Sequence, residues 1–110
     1  MKHTVIEQRG TIVIAFEGDV DLDSSSQARQ VLLDSVRRGR PVLVNLSAVS
    51  YIDSSGVASL VESFQASRKG GTRFALAAAS DATLRVLQLA RLDKVFTIHP
   101  TVEAGLGVGD

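Results

Sequence analysis

The sequence contains no cysteine and no tryptophan, and its 110 residues include only two prolines, one tyrosine and four phenylalanines. The lack of cysteine excludes thiol catalysis, disulfide bonds and cysteine-rich zinc sites. Histidine is almost as scarce, because only His3 and His99 are present and neither belongs to a motif that resembles a catalytic triad. These residue types favour a protein that is not an enzyme and that holds no metal or other cofactor.

An excess of charge of one sign is also lacking, because twelve lysines and arginines balance twelve aspartates and glutamates. A neutral chain has no electrostatic footprint for nucleic acid or for an anionic membrane surface. No stretch of about 18 apolar residues occurs, and the apolar run near the N-terminus is too short for the core of a signal peptide. We therefore expect no nucleic-acid partner, no direct membrane insertion and a cytoplasmic location.

Apolar residues make up 45% of the composition, which is enough for one domain with a buried core. Strand-like runs at 5–8 and 11–16 flank the turn dipeptide Arg9-Gly10, which predicts a hairpin. Helix and strand patterns then alternate. Helices are predicted over 24–36, over 81–92 and from the turn after residue 52 to Gly70. Strands are predicted over 42–46, 73–78 and 95–99. The pattern predicts a single α/β domain over 1–110, with a mixed, mostly parallel sheet and helices mainly on one face.

Several local features are also predicted. Residues 17–21 are expected to form a turn, and Ser24-x-x-Gln27 has the form of a capping box. The segment 81–92 is apolar enough to predict a helix that is buried in the core, and one further helical turn over 101–106 is expected before a loose tail.

The tetrapeptide Asp53-Ser54-Ser55-Gly56 stands where a strand pattern changes to a helix pattern. Aspartate and serine at a helix start accept hydrogen bonds from free backbone amides, so all three side chains are candidates for a helix cap. Gly56 costs up to about 1 kcal/mol in helix propensity within the first turn. The glycine therefore indicates that some group approaches this backbone closely.

The helix after this turn has two predicted faces. Four apolar residues recur at the spacing of one inward stripe: Val57, Leu60, Val61 and Phe64. Three polar residues are expected on the exposed face: Ser59, Glu62 and Ser63.

The stretch VLVNLSAVSYIDSSGVASLV, residues 42–61, resembles the signature of the STAS domain, which is found in anti-sigma factor antagonists and in the cytoplasmic tails of sulfate transporters. Residues 18–21 stand where that family has a Gly-Glu-Leu-Asp turn, and residues 71–96 resemble its C-terminal strand and leucine-rich helix. The resemblance covers about residues 4–106 and implies a STAS-like fold.

The resemblance also implies a function. In the antagonist branch the second serine of Asp-Ser-Ser-Gly, here Ser55, is phosphorylated by a serine kinase that is itself the anti-sigma factor, a phosphatase reverses the reaction, and the phosphoprotein no longer binds the kinase. The surface that would contact this kinase comprises Asp21, Asp53, Ser54, Ser55, Gly56, Ser59, Glu62 and Ser63. An alternative is a STAS accessory subunit of an ABC permease complex that handles phospholipid, whose partners would be the transporter ATPase and permease.

Overall fold

The computed structural model describes residues 1–107. Five strands form one sheet: β1 (Lys2–Gln8), β2 (Thr11–Val20), β3 (Val42–Ile52), β4 (Phe74–Ala77) and β5 (Ile98–His99). Four α-helices lie between or after them: α1 (Ser25–Val36), α2 (Ser54–Lys69), α3 (Asp81–Leu89) and α4 (Val102–Gly105). Within the described residues, no helix is both long and apolar enough to cross a membrane.

The strands follow their sequence order across the sheet, from β1 at one edge to β5 at the other. β1 pairs with β2 in the antiparallel sense, and the other three strand pairs are parallel. The first pair is joined by Arg9 and Gly10, whose φ angles of 54° and 78° are both positive, as a two-residue hairpin turn of type I′ requires. The predicted mixed sheet with an N-terminal hairpin is therefore confirmed.

The main core lies between one face of the sheet and the helices α1, α2 and α3. Residues that alternate along β2 and β3 point into it, and the largest fully buried side chains include Ile12, Ile14, Phe16, Leu46, Leu60 and Leu87. The short helix α4 covers part of the opposite face, where a Cβ on Gly105 would stand 2.7 Å from the side chain of Leu43. The expectation that the helices lie mainly on one face is confirmed.

The predicted inward stripe of α2 packs as its spacing indicated. Leu60 is fully buried, and Phe64 makes edge-to-face contacts with Phe74 and Phe96 at ring-centroid distances of 6.4 and 5.2 Å. The helix ends at Lys69 with Gly70 as its C-cap, and the following Gly71 has a φ of 72°. These contacts anchor α2 to the sheet and thereby fix where its N-terminus lies.

Two predictions about the connection from β2 to α1 are wrong. The turn begins only at Asp21, because 18–20 pair with β3 as part of a long, irregular β2. Ser24 forms no capping box, since its hydroxyl donates to the carbonyl oxygen of Asp19 at 3.0 Å and its side chain makes no cap bond to the helix. Gln27 lies instead with its Nε2 atom 3.3 Å from Nδ1 of His3 on β1. Tertiary contacts across the loop have replaced the local cap.

Several elements from β3 onward differ from the prediction in their boundaries. β3 continues to Ile52 rather than ending at residue 46, and the last strand is only Ile98–His99. α3 ends at Leu89, because Arg91 with a φ of 59° leaves the right-handed region and a short 3₁₀ turn follows. The helix packs on the core as expected, through the fully buried Leu87, but its other side faces outward and Leu89 is 80% exposed. The expected turn over 101–106 is present as α4, and the end of the predicted tail, 108–110, lies outside the described residues.

Candidate functional site

The turn between β3 and α2 is capped by a single side chain, that of Asp53. Its backbone is extended, with φ of −106° and ψ of −174°, so the carboxylate turns back over the first turn of the helix. Its Oδ1 atom accepts hydrogen bonds from the backbone amides of Ser55 at 2.9 Å and Gly56 at 3.1 Å. Aspartate at this position stabilises a helix both by satisfying free amides and by placing negative charge at the positive end of the helix dipole.

Asp53 also joins this turn to the neighbouring loop. Its Oδ2 atom accepts a hydrogen bond at 3.0 Å from the backbone amide of Leu22, which lies between β2 and α1. That loop is shaped by Asp21, whose Oδ1 accepts from the backbone amides of Asp23 at 3.1 Å and Ser24 at 3.3 Å. The hydrogen bond from the Leu22 amide therefore holds the loop that contains Asp21 next to Asp53, 32 positions later in the chain.

Gly56 is buried against the end of β2. A Cβ at this position would stand 2.5 Å from the carbonyl oxygen of Val20 and 2.7 Å from Cγ1 of Ile52. Real Cβ atoms are not found this close to other heavy atoms. The close approach that the sequence indicated is therefore made by the chain's own strand, and Gly56 positions the turn from within.

The two serines of the turn are left free by this arrangement. Ser54 is exposed and Ser55 is half-buried at the first turn of α2. Within residues 1–107, neither hydroxyl takes part in a hydrogen bond, because Asp53 occupies the amides that a capping serine would use. A pair of unengaged hydroxyls is thus presented at a helix N-terminus.

The sequence predicted Ser59 and Ser63 on the exposed face of α2, and this prediction is wrong. Both are buried, and their hydroxyls donate to carbonyl oxygens one turn earlier, from Ser59 to Ser55 at 3.2 Å and from Ser63 to Ser59 at 2.8 Å. Ser59 also donates to the carbonyl of Ser25 at the start of α1. Small side chains with locally satisfied hydroxyls allow α1 and α2 to pack closely, and this removes both serines from the candidate surface.

Glu62 is on the surface, but it is already paired. Its carboxylate receives two hydrogen bonds from Arg29 of α1, at 2.7 Å from Nε and 2.8 Å from Nη2. These bonds, more than the accompanying charge attraction, hold the pKa of Glu62 below its usual value, and the hydrogen bond to Glu62 raises the pKa of Arg29. The pair links the two helices next to the serine turn.

Apolar surface beside the turn was not predicted from the sequence. A groove of about 420 Å³ separates α2 from α3, and its lining includes Ser54, Val57, Ala58, Val61, Val86 and Ala90. Leu22, at the tip of the loop that donates to Asp53, is 73% exposed. The phase of α3 gave a partial signal for exposed apolar surface, since burial of Leu87 turns Leu89 outward, although Leu89 does not line the groove.

The charge around the serines is negative. Asp21, Asp23 and Asp53 cluster at the two loops, and none of them forms an ion pair with any residue in the described range. The carboxylates of Asp21 and Asp53 accept hydrogen bonds from backbone amides, and that of Asp21 also from the Ser24 hydroxyl; these neutral donors do not cancel the charge. The two histidines are elsewhere, with His3 on β1 and His99 on β5 at the two edges of the sheet.

Comparison with known proteins identifies the family. The sequence model of the STAS domain matches residues 3–105, and the chain therefore belongs to the STAS domain family. The anti-sigma-B factor antagonist of Bacillus subtilis (strain 168) is 26% identical over 102 residues, which cover 93% of this chain and 94% of that protein.

Solved structures are similar over nearly the whole chain. The anti-sigma factor antagonist from Mycobacterium paratuberculosis is 29% identical with a TM-score of 0.89, over 99% of this chain and 94% of that one. The Bacillus cell fate determinant SpoIIAA in its phosphorylated form is 22% identical with a TM-score of 0.75, over 96% and 97% of the two chains. The second similarity shows a common fold.

Proposed function

We propose that this protein is an anti-sigma factor antagonist, which binds an anti-sigma factor at the serine turn and is released when that partner, a serine kinase, phosphorylates Ser55. The observation that carries the proposal is that Asp53 caps the helix and the two serine side chains do not. Asp53 alone supplies the cap, so both serine hydroxyls remain free at the surface. The names of the relatives support the class of partner.

The docking surface consists of the serine turn, Leu22 and the groove between α2 and α3. It combines an exposed leucine and an apolar groove with the unneutralised carboxylates of Asp21 and Asp53. A complementary partner has an apolar ridge that fills the groove and basic residues that face the acidic loops. Ser59 and Ser63 are too deeply buried to contribute directly.

Phosphorylation of Ser55 changes this surface without requiring the fold to change. The partner transfers the γ-phosphoryl group of ATP to the Ser55 oxygen; the bond to the β-phosphate breaks, ADP leaves, and the hydroxyl proton passes to a base of the kinase. The phosphate adds about −1.5 to −2 charges at neutral pH. The amides of Ser55 and Gly56 are already bonded to Asp53, so the new charge meets carboxylates rather than free donors. A partner surface fitted to a neutral hydroxyl loses affinity.

The bonding of Asp53 also defines its part in the reaction. Its two carboxylate oxygens accept three backbone hydrogen bonds, which hold the carboxylate in place below the serines. Asp53 therefore acts by positioning the turn for the kinase and is not a base that activates Ser55.

The proposal is tested by the affinity of three variants for the anti-sigma factor. Ser55→Ala keeps a small neutral surface, so it should bind as tightly as the wild type and incorporate no phosphate at this turn. Ser55→Asp places an anion in the docking surface and should weaken binding by tenfold or more, which corresponds to about 1.4 kcal/mol. Ser54→Ala is the matched control, and it should bind and be phosphorylated at Ser55.

Calorimetry gives the affinities, circular dichroism confirms the fold, and mass spectrometry locates the phosphate. Equal affinities for Ser55→Ala and Ser55→Asp would contradict the switch. Capture of an ABC transporter ATPase from the native cells, with Ser55 unmodified and no kinase recovered, would replace the proposal with the accessory-subunit function.

A further inference from the structure

β1 is an open edge of the sheet. All seven of its residues are exposed, and the apolar side chains at its centre, Val5 and Ile6, are 39% and 53% exposed. The strand contains no proline, and its register with β2 runs without a bulge from Lys2 to Gln8. Proteins commonly block edges of this length with proline, a bulge, a covering segment or charged side chains. β1 lacks the first three, and its charged residues, Lys2 and Glu7, lie toward its ends and leave 4–6 without a charge.

The hydrogen bonds of β2 show which groups of β1 face outward. The amide of Ile12 donates to the carbonyl of Pro41 at 2.8 Å, on the side of β2 that faces β3. Ile12 is opposite Glu7, so this is a non-hydrogen-bonded pair of the hairpin and the polar backbone groups of Glu7 point away from β2. Because the pattern alternates, the N–H and C=O groups of His3 and Val5 also point outward.

We propose that a second copy of this chain pairs with this edge, β1 against β1 in the antiparallel sense, with a two-fold axis at Val5. A two-fold axis perpendicular to the sheet requires that opposed residues lie on the same face, so odd positions meet odd positions. Centring the axis on Val5 places His3 opposite Glu7 of the second copy. The three outward-facing residues of each strand then exchange six hydrogen bonds across the interface.

The apolar side chains of β1 are matched in this register. On the face that carries the helices, Val5 meets Val5 of the second copy. On either side His3, whose Nδ1 is 3.3 Å from Nε2 of Gln27, lies opposite Glu7, whose carboxylate is already paired with Arg38 and Arg40 of its own chain. On the other face, Thr4 lies opposite Ile6 of the second copy. At each end Lys2 lies opposite Gln8 of the second copy, and Arg9 of the hairpin turn lies opposite Met1, just beyond the strand; Lys2 and Arg9 are exposed, so their charges are screened at physiological salt.

This self-complementarity favours a second copy over an unrelated peptide strand. One sequence supplies both members of every pair, and the centre of the strand is apolar on both faces. The serine turn is not part of β1, so each copy of a dimer keeps its docking surface and the assembly presents two of them. The inference rests on β1 alone and does not depend on the proposed function.

The lack of native cysteine allows a direct test of the register by Val5→Cys and Ile6→Cys variants. At the two-fold axis the opposed Cα atoms are about 5.5 Å apart, within the range of a disulfide. Position 6 is opposite position 4, so two copies of position 6 are diagonal neighbours at about 7 to 8 Å, beyond easy bridging. Under mild oxidation Val5→Cys should form the covalent dimer at least tenfold faster than Ile6→Cys. Ile6 is the more exposed side chain, so random collision would give the opposite order.

The association itself is measured by sedimentation of the full chain from about 1 µM to about 1 mM, the range expected for a small interface. The mass should double across this range. Val5→Pro removes an outward N–H that makes no hydrogen bond to β2, so the fold tolerates the change and the interface loses a donor. Val5→Lys places two ammonium groups opposite each other at the axis. Both variants should remain monomeric. A wild-type chain that stays monomeric, a dimer that persists in Val5→Lys, or equal crosslinking of the two cysteine variants overturns the proposal.

Discussion

Replacing Gly56 with alanine tests how the serine turn is held against the sheet. The added Cβ would stand 2.5 Å from the carbonyl oxygen of Val20, 2.7 Å from Cγ1 of Ile52 and 2.9 Å from Cγ1 of Val20. The carbonyl cannot move freely, because it belongs to β2 and accepts a hydrogen bond from the amide of Asp53 at 3.3 Å. The start of α2 must therefore shift away from the strand.

Two opposing effects set the size of the change. Alanine gains about 1 kcal/mol over glycine in helix propensity. Overpacking of a buried site costs about 1 to 3 kcal/mol, and three contacts below 3.0 Å, one of them to backbone, place Gly56→Ala in the upper part of that range. We expect a net loss of roughly 1 to 2 kcal/mol in the free energy of unfolding. For a domain of this size the melting temperature falls by roughly 4 to 10 °C.

Thermal unfolding followed by circular dichroism measures this loss, and Gly70→Ala at the other end of α2 is the matched control. A Cβ on Gly70 would stand 3.7 Å from the nearest oxygens, which is ordinary contact, and its φ of −83° suits alanine. Gly70→Ala should therefore leave the melting temperature unchanged or raise it slightly. If Gly56→Ala melts at or above the temperature of Gly70→Ala, the close packing of the turn on β2 is not what requires glycine.

Two further predictions concern residues next to the turn. Asp53→Asn keeps one acceptor oxygen for the amides of α2 but puts an NH₂ group against the amide of Leu22. The free energy of unfolding should fall by about 1 kcal/mol, and the Leu22 amide should exchange faster with solvent. Unchanged exchange would contradict the hydrogen bond by which Asp53 holds the Leu22 loop. For Glu62, hydrogen bonds from Arg29 lower the folded-state pKa below the usual 4.5, so the stabilisation is fully present above the unfolded-state pKa and is lost as the pH falls through the folded-state value. The stability difference between wild type and Glu62→Gln, measured by urea unfolding, should thus shrink as the pH is lowered from above 4.5 through the folded-state pKa. A difference that stays constant over this interval would show that the pair adds no pH-dependent stability.

Much of the fold was predictable because its signals are local. Two strand-like runs separated by Arg9 and Gly10 predicted the hairpin, and Gly10 readily adopts the positive φ that the turn requires. The spacing of Leu60 and Phe64 predicted the inward face of α2, since a helical period acts within one element. Predictions that depended on neighbouring elements failed more often, as at Ser24, where a bond to the Asp19 carbonyl replaced the expected cap.

At the candidate site too, the sequence did not predict contacts that depend on other parts of the fold. The sequence by itself determined that a strand gives way to a helix at Asp53, and that Gly56 stands where another group comes close. It did not decide which of Asp53, Ser54 and Ser55 caps the helix, because all three side chains are chemically able to do so. Only the tertiary structure assigned the cap to Asp53 and left the serines free.

The burial of Ser59 and Ser63 was also decided by tertiary structure. A serine on a helix is equally compatible with solvent and with a close helix contact, because its hydroxyl can bond to a carbonyl one turn earlier. The packing of α1 against α2 selected the second environment, and the exposure of Leu22 followed from the loop that Asp53 holds. Local periodicity fixes the faces of each element, whereas the assignment of those faces to core or surface depends on contacts between residues far apart in the chain.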